Sequence, residues 1–294
     1  MLTPPLWPLV PEHRYRTDTN GAFSIDDALT SVATRPSKGD CKRELKATLK
    51  RVDQWQRRLY AEDQRALLCV FQAMDAAGKD STIRAVTKGL NPAGFQVASF
   101  KAPSAMELDH DFLWRTSHKL PERGRIGIFN RSYYEEALVI KVHPQYLAHQ
   151  KLPAEIQNSN TLWDDRYESI NYHEKHLVNN GITVLKFWLN VSKEEQGRRF
   201  LDRIDKPEKH WKFSINDIKE RGHWDEYMQA YQACIRATST PWAPWYAIPA
   251  DDKPYMRLVV ASIIEQALIN LNPDFPRVSE QQREQLLAAR AQLV

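Results

Sequence analysis

FQAMDAAGKDST, residues 71–82, follows directly on the apolar run ALLCVFQAM and nearly spells a phosphate-binding loop. The general nucleotide-binding pattern G-x-x-x-x-G-K-[ST] asks for glycine where this chain has Ala73, and for a hydroxyl where it has Asp80. Gly78 and Lys79 fit. They follow an apolar strand and open an amphipathic helix, so backbone N–H groups and the positive helix end converge on one anion. Ala76, Ala77, Gly78, Lys79, Asp80 and Ser81 are therefore the expected phosphate cradle, with Lys79 reaching the terminal phosphates. Asp75 and Asp80 would repel that phosphate unless a metal neutralised them, which argues for Mg2+ on oxygen ligands, with Mn2+ as the alternative ion. Asp80 has a second reading as a first-turn residue that complements the helix dipole.

Outward from the loop, five runs read as buried strands: 66–73, 96–102, 125–131, 182–191 and 245–250. Helical patterns separate them, as parallel βαβ units require. The expected architecture is α/β, with helices on both faces of a mostly parallel five-stranded sheet and ligands at the strands' carboxyl ends. Before the first strand, residues 41–60 place Leu45, Leu49, Val52, Trp55 and Leu59 at helical spacing, with Lys and Arg opposite. Residues 1–40 mix Pro, Asp, Thr and Ser without period and suggest an extended arm, leaving 41–294 as a single domain. Between the fourth and fifth strands lies a long polar segment, taken as a helical lid over about 196–225 and expected to lie outside the core. Residues 198–212 hold six Lys or Arg against three acids, and Pro207 marks a turn.

Composition narrows the class. With 27% charged and 42% hydrophobic residues over 294 positions, the chain has the balance of an ordinary globular protein. A net charge of only +4 gives no global argument for nucleic acid. Cys41, Cys69 and Cys234 are an odd, widely spaced set, which reads as reduced thiols. The proline-broken start MLTPPLWPLVPEHRYR has no continuous apolar region, and no run approaches the roughly 18 residues of a membrane span. A cytoplasmic protein that binds no membrane is the expectation.

Further candidates stand at the other strand ends. GIFNRSYYEEAL puts Asn130, able to ligate a metal, and Arg131, a planar fork for phosphate oxygens, at the third. Glu135 and Glu136 follow on a helix. Lys101 in SFKAPS stands at the same rim, and Arg115 in the HDFLWR that follows is expected to project from a helix. Arg198, Arg199, Arg203, Lys206, Lys209 and Lys212 form a basic lid, suited as a group to a densely anionic ligand.

Taken together, LYAE, QAMDAAGKDSTIR, GFQVASFKAPS, HDFLWR, GIFNRSYYEEALV, KHWKFS, HWDEYMQAY and PWYAIPADDK resemble the polyphosphate kinase 2 family from about Leu59 to Pro276. The departures at Ala73 and Asp80 look like that family's own loop. The resemblance implies a thymidylate-kinase-like phosphate-loop core with a helical lid, Mg2+ dependence, and an assembly of two or four chains. It also implies transfer of phosphoryl groups between inorganic polyphosphate and nucleotides. Carried over, Asp75 and Asn130 resemble the metal- and nucleophile-orienting residues, and Lys79, Arg131 and the lid arginines the phosphate-holding groups. Lys101, Arg115 and Glu135 are expected at the nucleotide. Asn130, where many members have aspartate, is similar to the subgroup that accepts AMP as well as ADP, so AMP, ADP and ATP are the expected partners with polyphosphate. Ser81 stands where glycine is frequent. Rival readings are an ATP-dependent nucleoside monophosphate kinase, an enzyme limited to ADP or GDP, and a nucleic-acid-binding module using KHWKF. The last leaves the two carboxylates unexplained, and no nucleic-acid partner is expected.

Overall fold

The computed structural model describes residues 10–293. Its five strands are β1 (Ala66–Gln72), β2 (Phe95–Ser99), β3 (Ile126–Asn130), β4 (Ile182–Asn190) and β5 (Trp245–Pro249), all parallel in the order β2-β3-β1-β4-β5. Among the described residues the helices of eight residues or more are α1 (Lys38–Glu62), α2 (Lys79–Val86), α3 (Glu135–Val142), α4 (Leu162–Asn179), α5 (Lys193–Ile204), α6 (Ile215–Gly222), α7 (Trp224–Thr238), α8 (Lys253–Leu271) and α9 (Glu280–Leu293). Central β1 is buried at every position. That is why ALLCVFQ reads as an unbroken apolar run: both of its faces are covered, so nothing alternates.

Two strands are edges, and the chain treats them differently. The expectation of a buried second strand is corrected: β2 is half exposed, with Val97 at 47%. It pairs only with β3. At the other edge, the expected N-terminal arm is ordered against β5. The Thr17 N–H donates to the Trp245 carbonyl at 2.9 Å and the Ala247 N–H to that of Tyr15 at 2.8 Å, and Arg16 bridges Tyr246 antiparallel. These bonds satisfy polar groups that an open edge would expose. The first nine residues of the arm lie outside the described ones.

Helix α1 starts three residues before the expected boundary because the Ser37 side chain accepts from the Asp40 N–H as an N-cap. Its buried Leu49, Val52 and Leu59 pack toward α8, where Arg51 pairs with Glu265. The polar segment folds as α5, a 3-10 turn at Pro207–Lys212, and α6. It is not wholly outside the core: Gln196, Arg199 and Phe200 are buried. All three cysteines are free and buried, in α1, β1 and α7.

Candidate active site

The loop leaves β1 at the carboxyl edge of the sheet and turns through two left-handed residues, Ala76 (φ 60°) and Gly78 (φ 110°). Space is not the constraint at Gly78, since an added Cβ would meet its nearest neighbours at 3.4 Å; the backbone angle is what favours glycine. Ala76 and, across the rim, Arg131 (φ 65°) hold the same conformation without being glycine. Each such non-glycine residue costs about 1–3 kcal/mol and persists only where its surroundings hold it. The open first turn of α2 then points its unpaired N–H groups into the site.

Lys79 is buried, and its Nζ donates to the Ala73 carbonyl at 2.5 Å. Burial pushes its ammonium down to about 8; Arg131 adds repulsion, against the attraction of Asp75, Glu135 and Asp80. Arg131 donates to Asp75 Oδ1 at 3.1 Å and pairs with Glu135 at 3.3 Å. Glu135 first, then Asp75, hold its pKa above the ordinary arginine value, although burial opposes them. The Asn130 Nδ2 donates to Asp80 Oδ1 at 2.7 Å, so both of the loop's carboxylates are tied to β3's end. Behind Arg131, the Tyr133 and Tyr134 hydroxyls donate to Glu174 at 2.9 and 2.7 Å. Glu174 forms a wholly buried ion pair with Lys186 of β4, at 2.6 Å.

Asp75, Lys79, Asp80, Asn130 and Arg131 line a cavity of about 970 Å3 that holds ten Lys or Arg and three Asp. Lys101, Arg203, Lys209 and Lys212 also line it. Other expected ligands do not. Arg198 is exposed and pairs with Glu195, and Lys206 pairs with Asp202; both lie outside the cavity wall. Arg199 reaches the wall with all five N–H groups already engaged. Its Nη1 donates to the Ala76 and Ala77 carbonyls at 3.1 and 2.6 Å, its Nη2 to those of Ala250 and Asp251 at 2.6 and 3.1 Å, and its Nε to Glu195 at 2.6 Å. It is a brace for the loop rather than a free phosphate ligand. Arg115 is corrected likewise: it is buried against Glu136 at 3.1 Å and donates to the Lys101 carbonyl at 2.7 Å, away from the main cavity. Glu135 faces a separate cavity of about 330 Å3, lined also by Asp75, Arg131, Asp217, Glu220, Tyr227 and Tyr231.

Three cations on the wall, Arg84, Lys253 and Arg257, have no counterpart among the sequence-derived candidates. Arg84 and Lys253 end two of the motifs quoted above, and Arg257 lies one turn past Lys253 on α8. That position in the motifs was the available signal.

The polyphosphate kinase 2 family profile matches residues 35–276. The chain belongs to the polyphosphate kinase 2 family. It is 51% identical over 250 residues to a protein of Rhodopseudomonas palustris named ADP-polyphosphate phosphotransferase, covering 85% of this chain and 86% of the relative. It is 41% identical over 266 residues to the AMP/ADP-polyphosphate phosphotransferase of Meiothermus ruber, covering 90% and 95%. Among solved structures, polyphosphate kinase 2 from Arthrobacter aurescens superposes with a TM-score of 0.85 at 34% identity, over 96% of this chain and 98% of that one.

For a polyphosphate kinase 2, the donor set at the loop fits a hard divalent cation. No group of three or more His, Cys, Asp or Glu able to hold a metal occurs among the described residues. Asp75, Asp80 and the Asn130 Oδ1 nevertheless offer only oxygen. Mg2+ commonly takes one or two carboxylates and completes its shell from phosphates and water.

Proposed function

We propose that this chain moves the terminal phosphoryl group of inorganic polyphosphate onto AMP, giving ADP, and onto ADP, giving ATP. One observation carries the reading: Asp75 and Arg131 line both cavities, so two unlike pockets meet at one ion pair. The larger, with ten cations against three carboxylates, suits a polyanionic donor. The smaller offers Tyr146, Tyr227 and Tyr231 with Glu135, Asp217 and Glu220 as acceptors, which suits a nucleoside.

An oxygen of the acceptor's terminal phosphate attacks the terminal phosphorus of the polyphosphate, in line with the bridging P–O bond. That bond breaks and its electrons stay on the shortened chain. The attacking oxygen is already anionic, so positioning and charge neutralisation matter more than a strong base. Lys79 and Arg131 stabilise the equatorial oxygens, and the first turn of α2 holds the donor's end. Mg2+ or Mn2+, bound at Asp75 with the Asn130 Oδ1 beside it, would neutralise charge on both substrates. The segment from α5 to α6 acts as the lid and limits hydrolysis by excluding water.

The three buried, unpaired thiols support a reducing, cytoplasmic setting. No described helix is long and apolar enough to cross a membrane. An assembly of two or four chains belongs to the same proposal; exposed Leu286, Leu287 and Leu293 on α9 are surface it would cover.

The test combines purified protein, AMP, Mg2+ and long-chain polyphosphate without ATP, beside a parallel ADP reaction, with ADP and ATP followed by chromatography. ADP and ATP both accumulating from AMP is the expected result. ATP from ADP alone would remove AMP and leave the polyphosphate donor in place. Turnover only after ATP is added would replace polyphosphate with a conventional nucleotide donor.

A further inference from the structure

The larger cavity does not stop at the phosphate loop. It continues along α2 from Lys79 to Thr87 and past Val97 of β2. At the α-helical rise this is about 12 Å of floor. Three cations border this arm: Arg84 from α2, and Lys253 and Arg257 one turn apart on α8.

Four of the other cavity cations are already engaged, and Lys101 and Lys212 share with these three the lack of an ion pair or side-chain hydrogen bond among the described residues. Arg131 has Asp75 and Glu135, Arg203 has Asp217, Lys209 has Asp202, and Arg199 is saturated by backbone carbonyls. Among the described residues, no hydrogen bond or ion pair neutralises Arg84, Lys253 or Arg257. The Nε of Arg257 is buried without any acceptor. Burial first and then repulsion disfavour the charge on two of them: Arg84 and Arg199 act against Arg257, and Arg199, Arg257 and Arg198 act against Lys253, where Glu195 opposes them. A buried N–H without a partner and crowded like charges are both unfavourable in a free protein, and an anion in the arm relieves both.

Resting on the proposed polyphosphate donor, we infer that Arg84, Lys253 and Arg257 form a distal phosphate subsite that grips the stem of the polyphosphate chain and sets the preferred donor length. The arm supplies cations and the Thr87 hydroxyl, with no carboxylate or amide acceptor among the three gripping groups. That chemistry matches the non-bridging oxygens of a phosphate chain rather than a nucleobase, and the two guanidinium forks can each take such oxygens in pairs. A donor of three phosphates, held at the loop, reaches this arm less fully than a long one does.

The test measures binding of tripolyphosphate and of long-chain polyphosphate by calorimetry for the wild type, R84Q, R257Q, the double variant and R257K, with steady-state KM for both donors and for ADP. The wild type is expected to bind the long chain more tightly. The double variant should lose about tenfold or more in long-chain affinity while tripolyphosphate changes by less than about threefold, and R257K should keep most of the affinity that R257Q loses. Arg84 is exposed, so R84Q reports even if R257Q fails to fold. Equal losses for both donors would place these cations at the loop and overturn the inference. So would a rise confined to the KM for ADP, absence of any length preference in the wild type, or unchanged binding in the double variant. Wild-type protein that binds polyphosphate with a length preference but never transfers from it would instead overturn the proposed donor.

Discussion

Arg199→Ala separates a brace from a ligand. The wild-type side chain is 4% exposed, and its guanidinium gives two hydrogen bonds to the loop, two to the backbone after β5 and one to Glu195. Its removal leaves four carbonyls and a carboxylate short of their donor. Deleting one partner of a buried, hydrogen-bonded charge costs about 3–5 kcal/mol, which for a chain of this length corresponds to a fall in melting temperature of roughly 5–8 °C. The two bonds to Ala76 and Ala77 hold the left-handed turn in place. At about 1.5 kcal/mol each, their loss lowers kcat/KM by roughly a hundredfold through a misplaced loop. The assay pairs thermal unfolding with initial rates at varied polyphosphate, and adds Arg199→Lys as a second variant. Lysine keeps the charge but has a single head, so it should recover little stability; at a phosphate-binding position it would serve well. An Arg199→Ala protein that melts like wild type and shows only a raised polyphosphate KM, rescued by lysine, would refute the bracing argument.

Asp75→Ala and Lys79→Ala should each lower turnover by more than about a thousandfold with circular dichroism unchanged, since the proposed mechanism puts both at the reacting phosphates; activity within about tenfold of wild type would exclude these roles. Lys79 and Lys253 are each pushed down to about 8 by burial, from an ordinary value of 10.5. Between those limits the unfolded chain binds more protons, so the free protein gains stability as pH rises from about 8 toward 10.5. Polyphosphate favours the charged lysines, so its binding takes up protons above pH ~8 and its affinity falls there. Calorimetry in buffers of different ionisation enthalpy reads that uptake; K79M should reduce it, and binding without proton exchange contradicts the assignment. Lys186→Met leaves Glu174 buried and uncompensated, a loss of about 3–5 kcal/mol. Urea unfolding should show K186M/E174L regaining much of it, and additive losses would mean that the pair is not coupled.

Much of the sheet was legible because parallel strands covered on both faces become continuous apolar runs, as ALLCVFQ shows. β2 was harder: FQVAS pairs on one side only, and its exposure follows from its place at the edge, which no local pattern encodes. The loop's chemistry was legible too, since glycine, lysine and both carboxylates lie within six residues of sequence. The allocation of the lid's charges was not. Arg198 and Arg199 are neighbours in the chain, yet one projects into solvent and the other closes on carbonyls of Ala76, Ala77, Ala250 and Asp251. Which arginine turns inward depends on how α5 sits over the loops that follow β1 and β5. The same holds for Arg115, whose partner Glu136 comes from a different βα unit, and for Arg257, which meets Arg84 only through the packing of α8 on α2.

The buried cysteines give the protein an internal record of its own breathing. Burial pushes the Cys234 thiol up to about 12 and raises Cys69 further still, so neither offers an exposed thiolate to an oxidant or alkylating reagent while the fold is closed. Each sits in a different layer: Cys41 at the start of α1, Cys69 in the central strand, Cys234 in α7 behind the smaller cavity. A reagent that reaches one therefore dates the opening of that layer. Without any introduced label, the order in which the three react would report how the enzyme comes apart.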